Sequence, residues 1–122
     1  MLVVEDEFFI AMDLQQTLER AGFEVLGPCS TVATALDLLG KARADAAVLD
    51  VNLQGERITP VAIRLLEMGA PFVLTSAYLP ADLRNEPVLA SARNLGKPTP
   101  TRELLAALQE YRAAADGSGQ PV

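Results

Sequence analysis

Short apolar runs, each too brief for a helix and each stopped by a polar group, constrain this chain most. Leu2-Val3-Val4 runs into Glu5-Asp6-Glu7, Ala46-Ala47-Val48-Leu49 into Asp50, and Phe72-Val73-Leu74 into Thr75-Ser76, while the stretch up to Leu95 delivers Lys97-Pro98. Unbroken apolar runs of this length read as strands covered on both faces, which points to a parallel sheet sandwiched by helices. In an open parallel sheet the carboxyl ends of the strands share one edge, and ligands bind there, where strand order reverses. Acids, a hydroxyl and a lysine converging on such an edge suggest a divalent cation and a phosphoryl group.

The segments between these runs carry helical periodicity. Phe8 to Ala21 places Ala11, Leu14, Leu18 and Ala21 on one stripe, with Gly22 as the stop. Phe23 to Leu26 reads as a short strand closed by Gly27-Pro28, and Ser30 or Thr31 can cap a helix whose apolar face is Val32, Ala35, Leu36 and Leu39. A third helix over Ile58 to Met68 aligns Ile58, Val61, Ala62, Leu65 and Leu66 before Gly69. Between Leu79 and Arg93 one short or interrupted helix is expected, because Pro80 suits a first turn whereas Pro87 breaks a helix interior. Asn94-Leu95 is a last brief strand, and Thr99-Pro100 opens a final helix carrying Leu104, Leu105, Leu108 and Tyr111. Strand and helix thus alternate about five times, an α/β architecture. With 122 residues, half of them hydrophobic, the chain suffices for one core and no attached effector. One domain over residues 1–115 and a disordered polar tail over 116–122 are expected.

Composition removes several function classes. The net charge of -6 comes from 16 acidic and 10 basic residues, and no basic cluster forms a stripe that could track nucleic-acid phosphates. The N-terminus has neither the basic flank nor the apolar core of a signal peptide, and no run approaches membrane-spanning length. A soluble, cytoplasmic protein is expected. Cys29 is the single cysteine and reads as a small apolar residue in a reducing compartment. The chain has no histidine, which rules out a His-metal site, a Ser-His couple and phosphohistidine formed on this chain. If histidine chemistry is involved, a partner supplies it.

Four motifs, Val4-Glu5-Asp6-Glu7, Val48-Leu49-Asp50-Val51-Asn52-Leu53, Leu74-Thr75-Ser76-Ala77 and Gly96-Lys97-Pro98, resemble in order and spacing the receiver domain of bacterial two-component response regulators. The resemblance covers about residues 1–112. It implies a flavodoxin-like, doubly wound five-stranded parallel sheet of order 2-1-3-4-5 with helices on both faces. Asn52-Leu53-Gln54-Gly55-Glu56, Pro60-Val61-Ala62 and Gly69-Ala70-Pro71-Phe72-Val73 look more narrowly like a subgroup of small alphaproteobacterial receivers. In that subgroup a Phe-Ala-Thr-Gly-Tyr type motif would align with Leu74-Thr75-Ser76-Ala77-Tyr78.

The resemblance implies that Asp50 accepts a phosphoryl group from a partner's phosphohistidine, on a sensor histidine kinase or phosphotransfer protein. It implies that Glu5 and Asp6, with Asp50 and the main-chain carbonyl of Asn52, hold Mg²⁺, a choice that all-oxygen ligation supports. Lys97 would pair with Asp50 and then with the phosphoryl oxygens. Ser76 is the hydroxyl expected to meet the phosphoryl group, with Thr75 as the alternate. Pro98 is a candidate for a cis bond. The chain would be no enzyme beyond catalysing its own phosphorylation and dephosphorylation, and its output would be altered affinity for a downstream protein.

Where many receivers carry an aromatic switch residue, three positions before the lysine, this chain has Asn94, so Tyr78 is the candidate to take over part of that role. The segment from Pro80 to Arg93 is expected to be mobile and ordered by phosphorylation. Two rivals stay open: a degenerate receiver used only as an interaction module, and a receiver excised from a hybrid histidine kinase, although Met1 directly at the first strand favours an independent start. A small phosphatase with an aspartyl nucleophile would need a general acid and a cap that this chain does not offer. Glu7 is read as a solvated or capping residue, and Phe8, Phe9, Leu14 and Leu18 as core or partner-facing positions, core being favoured. Apolar residues on the last helix could serve a homodimer, but the core needs them first.

Overall fold

The computed structural model describes residues 1–53, 55–75, 87–90, 93–95 and 101–117. Strand β1 (Leu2–Val4) lies at the centre of the chain's first half, flanked by β2 (Leu26–Cys29) and β3 (Ala47–Leu49); β6 (Phe72–Leu74) and β7 (Arg93–Asn94) extend the sheet on the other side of β3. The order is β2-β1-β3-β6-β7 and every pairing is parallel. A second, two-stranded antiparallel ribbon of β4 (Asn52–Leu53) and β5 (Glu56–Arg57) stands apart from it. With that ribbon set aside, the order is the 2-1-3-4-5 expected of a flavodoxin-like fold.

Side-chain alternation along the strands divides the core in two. Leu2, Val4, Leu49 and Leu74 pack with Ala35 and Leu39 of α2 (Val32–Lys41) and Val61 and Leu65 of α3 (Thr59–Glu67). Val3, Val48 and Val73 pack on the opposite face with Leu14 and Leu18 of α1 (Phe8–Arg20) and Leu104 and Leu108 of α5 (Thr101–Gly117). Both faces are covered, as the unbroken apolar runs require.

Local signals set most boundaries. Helix α1 ends in a Schellman arrangement, with Gly22 N–H donating to Glu19 O at 3.0 Å and Phe23 N–H to Leu18 O at 2.9 Å, while the Phe23 and Leu18 side chains share one core cluster. Thr31 caps α2, its hydroxyl accepting from Thr34 N–H at 3.1 Å. The second strand departs from expectation. It runs over Leu26–Cys29, not Phe23 to Leu26, because Phe23 is engaged in the α1 terminus and Cys29 pairs with Val4. Gly27-Pro28, expected to close the strand, lies inside it with a cis peptide bond; a proline is tolerated because β2 is an edge strand.

The last strand is Arg93–Asn94, one residue earlier than expected, with Leu95 N–H still donating to Leu74 O at 2.8 Å. In the proline-interrupted segment the described helix is α4, Pro87–Ala90, which starts at Pro87 as that residue's missing N–H favours. Helix α5 continues through Gly117, past Asp116, where the tail was expected to begin.

Candidate phosphoacceptor site

Register assembles the acids. Val4, Leu49 and Leu74 stand level across β1, β3 and β6, so the residues that follow them, Glu5, Asp50 and Thr75, form a row at the carboxyl edge of the sheet. The ladder continues into that row: Asp50 N–H donates to Val4 O at 3.0 Å, Thr75 N–H to Leu49 O at 2.9 Å, and Glu5 N–H to Cys29 O at 2.9 Å. Among the described residues, Glu5, Asp50 and Thr75 are the buried polar or charged side chains. A row of polar groups under cover at a sheet edge is the place where a ligand's charge can be met in a shielded environment.

Asp6, half-buried, completes the cluster. One carboxylate oxygen from each of Glu5, Asp6 and Asp50 lies within 4.8 Å of the others. Such oxygens repel one another, and a hard cation placed among them removes the repulsion. Oxygen donors alone, carried by three carboxylates, fit a divalent cation such as Mg²⁺ or Ca²⁺ and do not fit a soft metal. Glu5 is held in place, since its Oε1 accepts from Glu7 N–H at 3.2 Å where the chain enters α1. Glu7 itself is exposed at the N-cap position, and its side chain makes no capping bond.

Asn52 stands two residues beyond Asp50, on β4, opposite Arg57. Thr75, the alternate hydroxyl, directs its Oγ1 to the Leu49 carbonyl at 3.5 Å. Asn94 is half-buried on β7, level with Leu74. Ser76, Tyr78, Lys97 and Pro98 lie outside the described residues. Cys29, at the end of β2, is buried, and burial pushes its thiol up, with a side-chain hydrogen bond from Thr34 opposing in part. That agrees with its reading as a small apolar residue.

Two features escaped sequence reasoning. The β4–β5 ribbon is too short to show strand periodicity, and the signal available is Gly55 between Asn52-Leu53 and Glu56-Arg57. The core assignment of Phe8 and Phe9 is overturned: Leu14 and Leu18 are buried, but Phe8 is 68% and Phe9 82% exposed. Both occupy the first turn of α1, immediately after the acids, ahead of the buried stripe of Ala11, Leu14 and Leu18. Their rings meet edge to face with centroids 5.5 Å apart, and Met12, a turn further on, is also exposed. An apolar patch therefore borders the acidic cluster.

No protein-family model matches the chain. A receiver domain protein from Methanospirillum hungatei, described as CheY-like, superposes with a TM-score of 0.83 at 23% identity, covering 97% of this chain and 96% of that one. A response regulator from Burkholderia pseudomallei, solved with a phosphorylated aspartic acid, calcium ion and citrate, gives 0.76 at 25% identity, over 99% of this chain and 74% of that one. SdrG from Sphingomonas melonis is 35% identical over 91% of this chain and 93% of its own, with a TM-score of 0.72. Among curated proteins, the transcriptional regulatory protein PdtaR of Mycobacterium tuberculosis is 29% identical over 83 residues, 67% of this chain. The match spans only 40% of PdtaR's length. Sheet order, an acidic row at the carboxyl edge and these likenesses agree: the chain belongs to the receiver domains of two-component response regulators.

Proposed function

We propose that this domain is a phosphoacceptor switch in which Asp50 takes a phosphoryl group from a phosphohistidine on a sensor histidine kinase or phosphotransfer protein. The observation that carries the reading is the buried Asp50 carboxylate grouped within 4.8 Å of Glu5 and Asp6 at the carboxyl edge of the sheet. A carboxylate oxygen of Asp50 attacks phosphorus in line; the phosphorus–nitrogen bond breaks, and the imidazole leaves and recovers a proton from water. Mg²⁺, when bound by Glu5, Asp6, Asp50 and the Asn52 carbonyl, supplies the positive charge that lets an anionic nucleophile approach anionic phosphoryl oxygens. The ladder bond from Asp50 N–H to Val4 O fixes the acceptor's backbone, so little reorganisation is needed on attack. Lys97 and Ser76 have the chemistry to hold the transferred group, as the family resemblance implies.

The absence of histidine from the chain supports a donor that is another protein. The exposed Phe8, Phe9 and Met12, beside the acids, offer apolar area to such a partner. Phosphorylation would then alter affinity for a downstream protein, with self-hydrolysis as the domain's own remaining catalysis. A cytoplasmic setting belongs to the same proposal; no helix among the described residues is long and apolar enough to cross a membrane.

Intact-protein mass after incubation with acetyl phosphate tests the reading, with and without Mg²⁺, on the wild type and Asp50→Asn. One phosphoryl adduct that requires both Mg²⁺ and Asp50 is the expected result. An adduct that survives in Asp50→Asn would move the acceptor elsewhere. No adduct from acetyl phosphate or from any histidine-phosphorylated donor would make the domain a phosphorylation-independent interaction module.

A further inference from the structure

The hairpin that follows Asp50 has a register with consequences for the cation site. In an antiparallel pair, hydrogen-bonded and non-hydrogen-bonded residue pairs alternate. Ile58 N–H donates to Val51 O at 2.9 Å, so Val51 and Ile58 form a bonded pair. The next pair, Asn52 with Arg57, is then non-bonded, and Leu53 with Glu56, beside the turn, is bonded again. In a non-bonded pair the N–H and C=O of each residue point away from the partner strand. The Asn52 peptide groups thus lie on the outer side of the ribbon, two residues beyond Asp50. A slip of one residue would turn the Asn52 carbonyl into the ladder and swing Leu53, now 1% exposed, out of the core.

Gly55 directly precedes β5 and has φ +93. Tight hairpin connections need such left-handed backbone, which glycine adopts without penalty. A Cβ built at Gly55 meets nothing within 4 Å, so a side chain there has room and only the backbone conformation resists it. Val51, Leu53 and Ile58 are buried and anchor the ribbon to the body of the domain, so the turn has to close in the register that their burial demands.

We propose that Gly55 is a positioning residue for the cation: its left-handed conformation closes the hairpin in the one register that keeps the Asn52 carbonyl out of the ladder and available beside Glu5, Asp6 and Asp50. This rests on the cation reading of the site given above. Gly69 provides an internal control. It also has positive φ, +74, and an equally open Cβ direction, but it ends α3, where Ala70 N–H donates to Leu65 O at 2.9 Å, and has no part in the hairpin.

Mg²⁺ affinity measured by isothermal titration calorimetry on the full chain separates the two glycines. Gly55→Ala is expected to weaken binding by about tenfold, the scale on which loss of a supporting group acts at metal sites. Gly55→Asn, whose side chain tolerates the left-handed region, should recover much of that loss. Gly69→Ala should lower the melting temperature by as much as Gly55→Ala yet leave Mg²⁺ affinity within about twofold. If alanine at 55 prevents folding, the pair Gly55→Asn and Gly69→Asn carries the same comparison, with weaker binding expected only for the first. Wild-type affinity in folded Gly55→Ala, or, only where alanine does not fold, full wild-type affinity in Gly55→Asn, or equal weakening by the matched Gly69 variant, overturns the role of Gly55 and leaves the cation reading intact. Failure of the wild type to bind Mg²⁺ at all overturns both.

Discussion

The backbone N–H of Asp50 donates to the carbonyl of Val4 at 3.0 Å, which places the residue after β3 directly beside the residue after β1. Two stretches more than forty positions apart in the chain thereby deliver Asp50 and Glu5 to one point without help from any loop. The same ladder, continued by Thr75 N–H to Leu49 O, makes the carboxyl edge a continuous polar row on top of an apolar sheet. Chemistry at this edge inherits the rigidity of the core strands below it.

Three clustered carboxylates oppose folding when no cation is bound. Asp50→Asn keeps the shape and removes one charge, so in EDTA it should be more stable than the wild type by about 1–3 kcal/mol, the repulsion expected for charges at this separation in a partly screened environment. Added Mg²⁺ should reverse the order: at a concentration of about 100 times its dissociation constant it stabilises the wild type by roughly 2.7 kcal/mol, and the variant by much less. Urea denaturation with and without Mg²⁺ measures both terms. A variant no more stable than wild type in EDTA would show that the acids do not repel one another in the folded state.

Phe8 and Phe9 should matter to partners and not to folding. With exposures of 68% and 82%, their replacement by alanine is expected to change stability by no more than about 0.5 kcal/mol, whereas Leu18→Ala, at a fully buried position on the same helix, should cost about 2–5 kcal/mol. Phosphorylation by acetyl phosphate should be unaffected in Phe8→Ala/Phe9→Ala, because a small donor does not touch the patch. Transfer from a histidine-phosphorylated partner should slow by about tenfold or more, as truncation of aromatic anchors does at interfaces. Equal slowing with both donors would place the effect in the site and not in docking.

Sequence patterning revealed the sheet because its central strands are buried on both faces, and Leu2–Val4, Ala47–Leu49 and Phe72–Leu74 therefore carry uninterrupted apolar runs. The same runs located Glu5, Asp50 and Thr75, since a polar residue ending such a run must stand at the sheet edge. Edge strand β2 lies three residues later than its sequence suggests, because Leu-Gly-Pro-Cys has none of that signature; backbone pairing to β1 defines it. Phe8 and Phe9 lie outside the core for a different reason. Hydrophobicity alone favours the core, but the first turn of α1 follows directly from the carboxyl edge, ahead of the residues that the helix packs against the sheet.

The cap of α2 offers a local test of how that element is held. Thr31 Oγ1 accepts from Thr34 N–H at 3.1 Å, and Thr34 Oγ1 donates back to Thr31 O at 3.1 Å. Thr31→Ala removes the acceptor for an otherwise unsatisfied helix N–H and should cost about 1 kcal/mol, with Thr31→Ser recovering most of it. Chemical denaturation of the three proteins decides this; an alanine variant of unchanged stability would assign the start of α2 to packing by Val32 and Ala35 instead.

Cys29 makes stability depend on pH above neutrality. Burial pushes its thiol up, so the folded protein retains the proton at a pH where the unfolded chain, with an ordinary thiol near about 8.5, has already lost it. Below that value both states are protonated and Cys29 adds no pH dependence. Above it the unfolded state binds fewer protons, and stability falls as pH rises, by up to about 1.4 kcal/mol per pH unit, until the folded thiol ionises too. The Met1 ammonium, pushed down from its ordinary value by burial with Asp45 and Glu24 opposing, adds a pH dependence of its own. The informative quantity is therefore the difference between wild type and Cys29→Ala, from which other groups cancel. That difference should be constant between about pH 6 and 8 and should shrink towards pH 10, as the wild type alone loses the thiol's contribution. Urea denaturation of both proteins across this range checks it, alongside iodoacetamide labelling, which should be slow in the folded wild type and fast in urea. Rapid labelling of the folded protein at pH 8, or a difference independent of pH up to 10, would show that the thiol is not held in its neutral form by the fold.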